Sequence, residues 1–542
     1  MRCPWTKLRR DERGVIAPTV ALSLFALIAC AGIAFDYAHM AALDTELQDA
    51  ADQSALAAAS QLDGQLNARA RATAAAQSLV RNLSLFASDA SSVAGDAHKV
   101  EVATLTFYQS YDRVNDTYGP LSTSDADSKV VKVTITPRRA NFALTPIVGA
   151  MSSGLLPAEA VASLGTAICK TPPVMICNPS ETNSNKDFDA DALKGHGLKL
   201  VSVGGGNGSW APGNFGYLNN NGGSNGVPGL QEGLGWESPP GDCTPSGNVN
   251  TKPGGNVPAT DALNTRFDIY DSNSSCQNGG TCPASINSVK DVVRPANANG
   301  NNACALQNQG WQLPANYYGQ GSVPAVGNVP LNPSVTPSAM GHPRDMCHAV
   351  DSAATGYCSS PIGDGAWDRD AYFRTNYRKS GGGYWTGGTG PGTWRGNTGL
   401  SATATRYDVY SWEIVNRGKT IDGVNVLGPN PPGASGNTTV SYGFPVCSPV
   451  QGYGGGVVPG LNTVDRRRTA MAVVNCLQNS VNGSSTGVPV LKFVDLFLVE
   501  PSVSRARTGQ GDVYVEIIGE TPAGGAQTAG QVVRRDKPYL IR

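Results

Sequence analysis

The sequence predicts an α+β protein on a membrane anchor: a long N-terminal transmembrane and stalk helix, a small α+β unit, then a disulfide-linked, loop-rich, mainly β region. Three observations carry this reading. Residues 15–35 contain no charged side chain. Residues 201–260 hold 16 Gly and 7 Pro, a level at which disorder is the usual inference, yet Trp210, Phe215, Tyr217, Trp236 and Cys243 lie in the same stretch and point to an ordered, long-looped region. Twelve cysteines occur in a chain of 542 residues with 65 Gly and only 15% charged side chains, a composition of oxidising compartments rather than of cytosolic enzymes. Basic and acidic residues number 41 and 42, for a net charge of −1. That balance provides no field to recruit nucleic acid. A hydrophobic content of 40% still suffices for packed cores.

The anchor comes first in the chain. Val15 to Phe35 is an uncharged run of 21 residues, and as a helix it spans about 32 Å, enough for a hydrocarbon core of about 30 Å. Arg2, Lys7, Arg9, Arg10 and Arg13 precede it and Asp36 follows it, so the N-terminus is expected in the cytoplasm and the bulk on the far side. Two other readings use the same residues. Ala29-Cys30-Ala31 suits a signal peptidase, and Leu27 to Cys30 suits lipid attachment at Cys30. The apolar run continues past both positions to Phe35, which favours a retained anchor.

Helix is expected to continue from Asp36 to about Leu62, Ala-rich and free of Gly and Pro, and to resume from Asn67 to Val80. Its small side chains suit close packing, either with neighbouring helices or on the chain's own domain. Val100–Tyr108 and Val130–Thr136 alternate with β-branched and aromatic residues and read as strands. Strand signals return at Leu198–Val203, Arg406–Ile414, Thr469–Leu477, Val488–Val499 and Val513–Ile518. The expected organisation is therefore a cytoplasmic tail (1–14), an anchor (15–35), a helical stalk with a small α+β unit (36–170), a Gly/Pro/Asn-rich, Cys-containing region (171–404) and a mainly β region (405–542). Trp367, Tyr384, Trp385 and Trp394 lie among glycines and would suit contact with glycan or another surface if the chain were a binding protein.

Ten cysteines lie beyond the anchor, an even number that suits disulfides. Near neighbours in sequence are the expected pairs: Cys276 with Cys282, Cys347 with Cys358, and Cys447 with Cys476. Asp187, Asp189 and Asp191 alternate and form a weak calcium candidate, although Ala192 and Leu198 stand where an EF-hand has its glycine and distal glutamate. A solvated acidic turn is the competing reading. His342 and His348 lie near Asp345 and Cys347 without the spacing of a metal motif. Gly206-Asn207-Gly208 mimics a dinucleotide loop, and Gly222–Gly226 matches G-x-S-x-G formally; the flanks of both read as loop. No acid, base or nucleophile constellation emerges. Neither catalysis, nor a cofactor, nor a small-molecule substrate is expected.

Arg13-Gly14 before the run, Asp36-Tyr37 at its exit, and the segment from Gln48-Asp49-Ala50-Ala51-Asp52 to Ala57-Ala58-Ala59 together resemble the anchor of TadE/TadG-like proteins. Those proteins belong to the tight-adherence (Flp pilus) assembly system of bacteria. Looser similarity to larger TadG-like members occurs at Ile176-Cys177-Asn178-Pro179, Trp210–Leu218, Val473-Val474-Asn475-Cys476 and Phe497–Ser502. The resemblance implies a single-pass bacterial inner-membrane protein with a periplasmic bulk, contributing to assembly or anchoring of a type IV-like pilus. Its partners would be other pilus-assembly proteins of the inner membrane and periplasm, with the membrane met through residues 15–35. Thr19 stands where a prepilin carries glutamate after its processing glycine, so pilin-like processing is not implied. The metal site of a von Willebrand type A domain is likewise missing.

Overall fold

The computed structural model describes residues 16–541 except 64–65, 80–85, 87–99, 113–115, 126, 149–150, 170–172, 203–209, 220–225, 241–243, 246–247, 253–256, 272–275, 277–279, 320–328, 350–357, 359, 448–454, 461–462, 506–508, 510 and 522–532. It divides into two compact units, Met1–Thr166 with Asp536–Arg542, and Ala167–Arg535. Strands from both sides of residue 404 share one sheet in the second unit.

In the first unit, helix α1 runs unbroken over Ile16–Ala59. It crosses both candidate cleavage positions without interruption. Helix α2, Ala68–Leu79, packs against its second half. Strands β1 (Val102–Tyr108), β2 (Val130–Arg138) and β3 (Leu156–Cys169) form a sheet in that order, with Val533–Leu540 beside β3. The β1/β2 and β2/β3 pairs are antiparallel, with Phe107 opposite Val131 and Val133 opposite Ala160. Alternation sends Val131, Val133 and Ile135 to one face, where they meet Leu43, Leu47, Ala51 and Ala55 of α1 and Ala72 and Ala76 of α2. Alanines on the helices and at 158, 160 and 162 of β3 let the layers approach closely. The second half of α1 is thus packed on its own domain, the second of the two arrangements expected for the stalk.

The second unit is built on a closed six-stranded barrel. Its strands are β4 (Val174–Cys177), β5 (Gly197–Ser202), β6 (Asn214–Leu218), β8 (Arg468–Val474), β9 (Lys492–Leu498) and β10 (Val513–Glu520), and short β7 (Thr251–Lys252) pairs with β6 from outside the ring. The ring order is β6-β4-β8-β9-β10-β5, closed by parallel pairing of Val201 with Asn214. β4 and β8 are also parallel, and the other pairs in the ring are antiparallel. One face of every ring strand feeds a single core: Ile176, Leu200, Phe215, Met471, Leu496 and Val515 are each 1% exposed or less. Closure leaves no long unpaired edge. Helices α3 (Val227–Gly235) and α4 (Val257–Asn264) add Leu230, Leu234, Ala262 and Leu263 to this core.

Arg406–Ile414, read from the sequence as strand, is instead part of helix α7 (Arg406–Asn416), which follows α5 (Arg369–Asn376) and α6 (Trp394–Thr398). Its N-terminus carries a capping box: the Thr405 hydroxyl accepts from the Asp408 N–H, and the Asp408 carboxylate accepts from the Thr405 N–H. Two otherwise unsatisfied backbone donors at the helix start are thereby paired, and this outweighs the strand preference of Tyr, Val and Ile.

Candidate functional site

Helix α1 has two environments. Over the span the side chains of Leu22, Leu24, Phe25, Leu27 and Ile28 are exposed, and the helix is long and apolar enough to cross a membrane. Burial begins at Gly32 and Asp36 and continues through Leu43, Leu47, Ala51, Ala55 and Ala58. Steps of three or four residues between most of these positions trace one helical stripe.

Asp36, at the exit of the span, is almost fully buried. One carboxylate oxygen accepts from the Ala143 N–H at 3.0 Å. The other accepts from the Leu144 and Thr145 N–H groups at 2.9 and 2.7 Å and from the Thr145 hydroxyl. Thr145 opens a single turn of 3₁₀-helix, Thr145–Val148, so an anionic side chain satisfies donors that a helix start leaves unpaired. One turn earlier, a Cβ on Gly32 would lie 2.9 Å from the Leu144 Cβ. Glycine is required there because the loop presses directly on the helix backbone. The sequence signal was an acidic residue closing an uncharged run with no basic partner nearby.

The disulfides belong to the second unit. Cys276 bonds Cys282 and Cys347 bonds Cys358, both across short separations. The expected Cys447–Cys476 pair is replaced by Cys177–Cys476 and Cys304–Cys447. Cys476 follows β8, whose parallel neighbour β4 ends at Cys177, so pairing in the sheet brings those sulfurs together. Cys447 is held elsewhere: the Val446 and Cys447 N–H groups donate to the buried Asp268 carboxylate. The side chains of Cys169 and Cys243 lie outside the described residues.

The weak calcium candidates do not converge among the described residues. Asp187 lies 3.7 Å from the Lys492 Nζ, Asp189 accepts from the Ala192 N–H, and Asp191 accepts from the Glu520 N–H. One grouping does bring metal-type ligands together, Cys347, His348 and Cys358, but its two sulfurs are bonded to each other. His348 engages the Tyr514 hydroxyl through Nδ1 and the Ser360 carbonyl through Nε2, each at 3.0 Å. Residues 204–208 and 222–225, holding most of the two glycine patterns, lie outside the described residues.

Several buried polar knots organise the second unit; one joins Arg344 and Arg505 to Glu500, with Asp291 on Arg505, and two others centre on Arg406 and Glu413. Arg406 is shared by Asp345 and Glu516 and donates through Nε to the Pro343 carbonyl. Glu413 accepts from the Tyr372 and Tyr377 hydroxyls at 2.5 and 2.8 Å and from Asn287 at 2.6 Å, with His342 at 3.5 Å. Burial pushes the His342 imidazole below its ordinary value, whereas the hydrogen bonds from His342, Tyr372 and Tyr377 hold Glu413 low despite its burial. Nor do the tryptophans offer a surface. Trp367, Trp385 and Trp394 are 2% exposed or less, and of the four aromatics only Tyr384 is exposed; Trp394 stacks on Phe373 at 4.9 Å and Trp385 on Tyr377 at 4.5 Å. Burying these rings against one another outweighs the loop character of the surrounding glycines.

Neither a curated protein nor a solved structure matches the chain. Residues 14–61, which hold the apolar run, Gly32, Asp36 and the buried stripe, match the family model described as putative Flp pilus-assembly TadE/G-like, and this end of the chain is similar to that family.

Proposed function

We propose that the chain is a non-enzymatic, single-pass inner-membrane protein, with a cytoplasmic N-terminus and a periplasmic bulk, that assists assembly or anchoring of a Flp-type, type IV-like pilus. The observation that carries this is the TadE/G-like segment at 14–61, coinciding with a helix apolar enough to span a membrane and clamped at its exit. Four disulfides among the described residues favour an oxidising compartment such as the periplasm. Internal pairing of the buried Arg406 and Glu413 knots favours a structural role for them over chemistry on a substrate. Contacts with other pilus-assembly proteins, rather than a ligand or cofactor, would then be the working interactions.

The test is surface piliation and adhesion in a deletion strain complemented with the full chain or with residues 1–170 alone. Loss of pili restored only by the full chain supports an assembly component whose specificity needs the chain beyond residue 170. Rescue by residues 1–170 places the function in the anchor and its sheet. Normal pili and adhesion in the deletion strain, without a paralogue to compensate, would refute the pilus reading.

A further inference from the structure

We propose that the two arms leading to and from the Asp36 clamp, residues 140–146 and 151–155, form a second membrane contact, lying in the interfacial layer of the leaflet from which the anchor emerges. The proposal rests on the reading of residues 15–35 as a membrane anchor.

Depth is fixed by contact with the helix. Leu144 meets α1 at Gly32, a position inside the apolar run. Counting from the end of that run at Phe35, the contact lies roughly 4–5 Å back along the helix axis. The Asp36 carboxylate holds the 143–145 backbone there, so the loop cannot rise away from the helix without stranding a buried charge. The second arm is tied to the first: the Phe142 N–H donates to the Met151 carbonyl and the Ser153 N–H to the Ala140 carbonyl. Met151 therefore sits opposite the residue preceding the clamp.

Asn141 apart, what these arms present is mainly apolar. Leu144, Met151 and Leu155 are 44%, 71% and 56% exposed. Phe35 and Tyr37 are exposed on α1 at the same level, where aromatic side chains favour the membrane–water boundary. Lipid is the occupant that continuity supports, because the helix surface running into this patch, including Leu27, Ile28 and Ile33, is itself exposed and apolar. Interfacial elements of this kind bury their apolar side about 5–10 Å into the headgroup boundary, which matches the depth set at Gly32.

The experiment uses the full chain, with C3S and C30A removing the cysteines of the tail and span, in nanodiscs of phosphatidylethanolamine and phosphatidylglycerol. Nitroxides are placed singly by M151C and L155C. L27C serves as the probe within the span, and L121C as the water-exposed probe at the other end of the sheet. The unsubstituted C3S/C30A chain, treated identically, supplies the blank. Collision with oxygen relative to a water-soluble nickel chelate is expected to be several-fold higher at 27 and 151 than at 121. The L155C label replaces M151C as the readout if the latter disturbs the fold. Nickel-dominated collision at both 151 and 155, with residue 27 still in lipid, overturns the proposal and leaves the anchor intact. Nickel-dominated collision at residue 27 overturns the anchor reading and the proposal with it.

Discussion

Removing the Cys177–Cys476 disulfide should destabilise the barrel far more than removing Cys276–Cys282, and the reason lies in the unfolded chain. The first bond closes a loop of 299 residues and the second a loop of six. In the chain-entropy picture these closures withdraw about 5.7 and about 2.2 kcal/mol of unfolded-state freedom at 25 °C, a difference of about 3.5 kcal/mol. Packing acts in the same direction, because Cys177 and Cys476 are both buried beside Met175, Ala472 and Val474. The assay is urea unfolding of the full chain in detergent, followed by tryptophan fluorescence, for C177A/C476A and C276A/C282A against the parent. Disulfide mapping by mass spectrometry fixes the pairing in the parent. Equal losses in the two variants would refute the entropic argument. A Cys447–Cys476 crosslink in the map would refute the topology on which it rests.

Three further perturbations probe the knots and the clamp. R406A should cost about 3–5 kcal/mol, because it strands the buried Asp345 and Glu516 carboxylates; R417A, exposed on the same helix boundary, should stay within about 0.5 kcal/mol, and similar losses would refute the assignment. The share of stability carried by neutral His342 and His348 should fall as pH drops below about 6.5, the ordinary histidine value, because burial depresses both in the folded state and the unfolded chain therefore binds more protons at those sites. Burial raises Asp261 and Asp268 to about 6, which acts in the opposite sense, so the test is the difference between H342N and the parent from pH 7.5 to 5.5: H342N should lose less stability over that range, and parallel profiles would contradict the argument. D36A should make the Ala143, Leu144 and Thr145 amides exchange faster with deuterium, and G32L should do so by steric displacement at a cost of about 1–3 kcal/mol. Unchanged exchange in both variants would show that the loop is held by something else.

Local signals carried much of the architecture. The uncharged run, the Ala-rich helix and the alternating strands at 102–108, 130–138 and 513–520 are visible because each declares itself within a dozen residues. Cys276–Cys282 and Cys347–Cys358 are local in the same sense. The barrel is not, since its parallel pairs, β4 with β8 and β5 with β6, have no turn chemistry to mark them. That is also why sequence proximity misassigns Cys447 and Cys476. Helix α7 shows local signals in competition: the β-branched and aromatic run suggests strand, while T-x-x-D at 405–408 announces a helix start. For Trp385 and Trp394 the surrounding glycines misled, because glycine marks a tight path for the backbone and says nothing about where a large side chain goes. Asp36 was visible only as a charge at the exit, and its partners lie more than 100 residues downstream.

That distant partnership changes what the anchor can do. A 44-residue helix, about 66 Å long, would act as a free lever if its domain gripped only the far end. Here the grip begins at Gly32, still within the apolar run, and continues along one stripe to Ala59. Sliding α1 by one residue would rotate the stripe by about 100° and carry the Asp36 carboxylate away from its four donors. On the membrane-anchor reading, moving that charge toward the bilayer would take it into hydrocarbon; moved the other way, it would leave the 143–145 amides unpaired. Both directions are penalised. The exit point is therefore a fixed register between the helix and its domain, and a load applied to the first unit reaches the span without an intervening hinge.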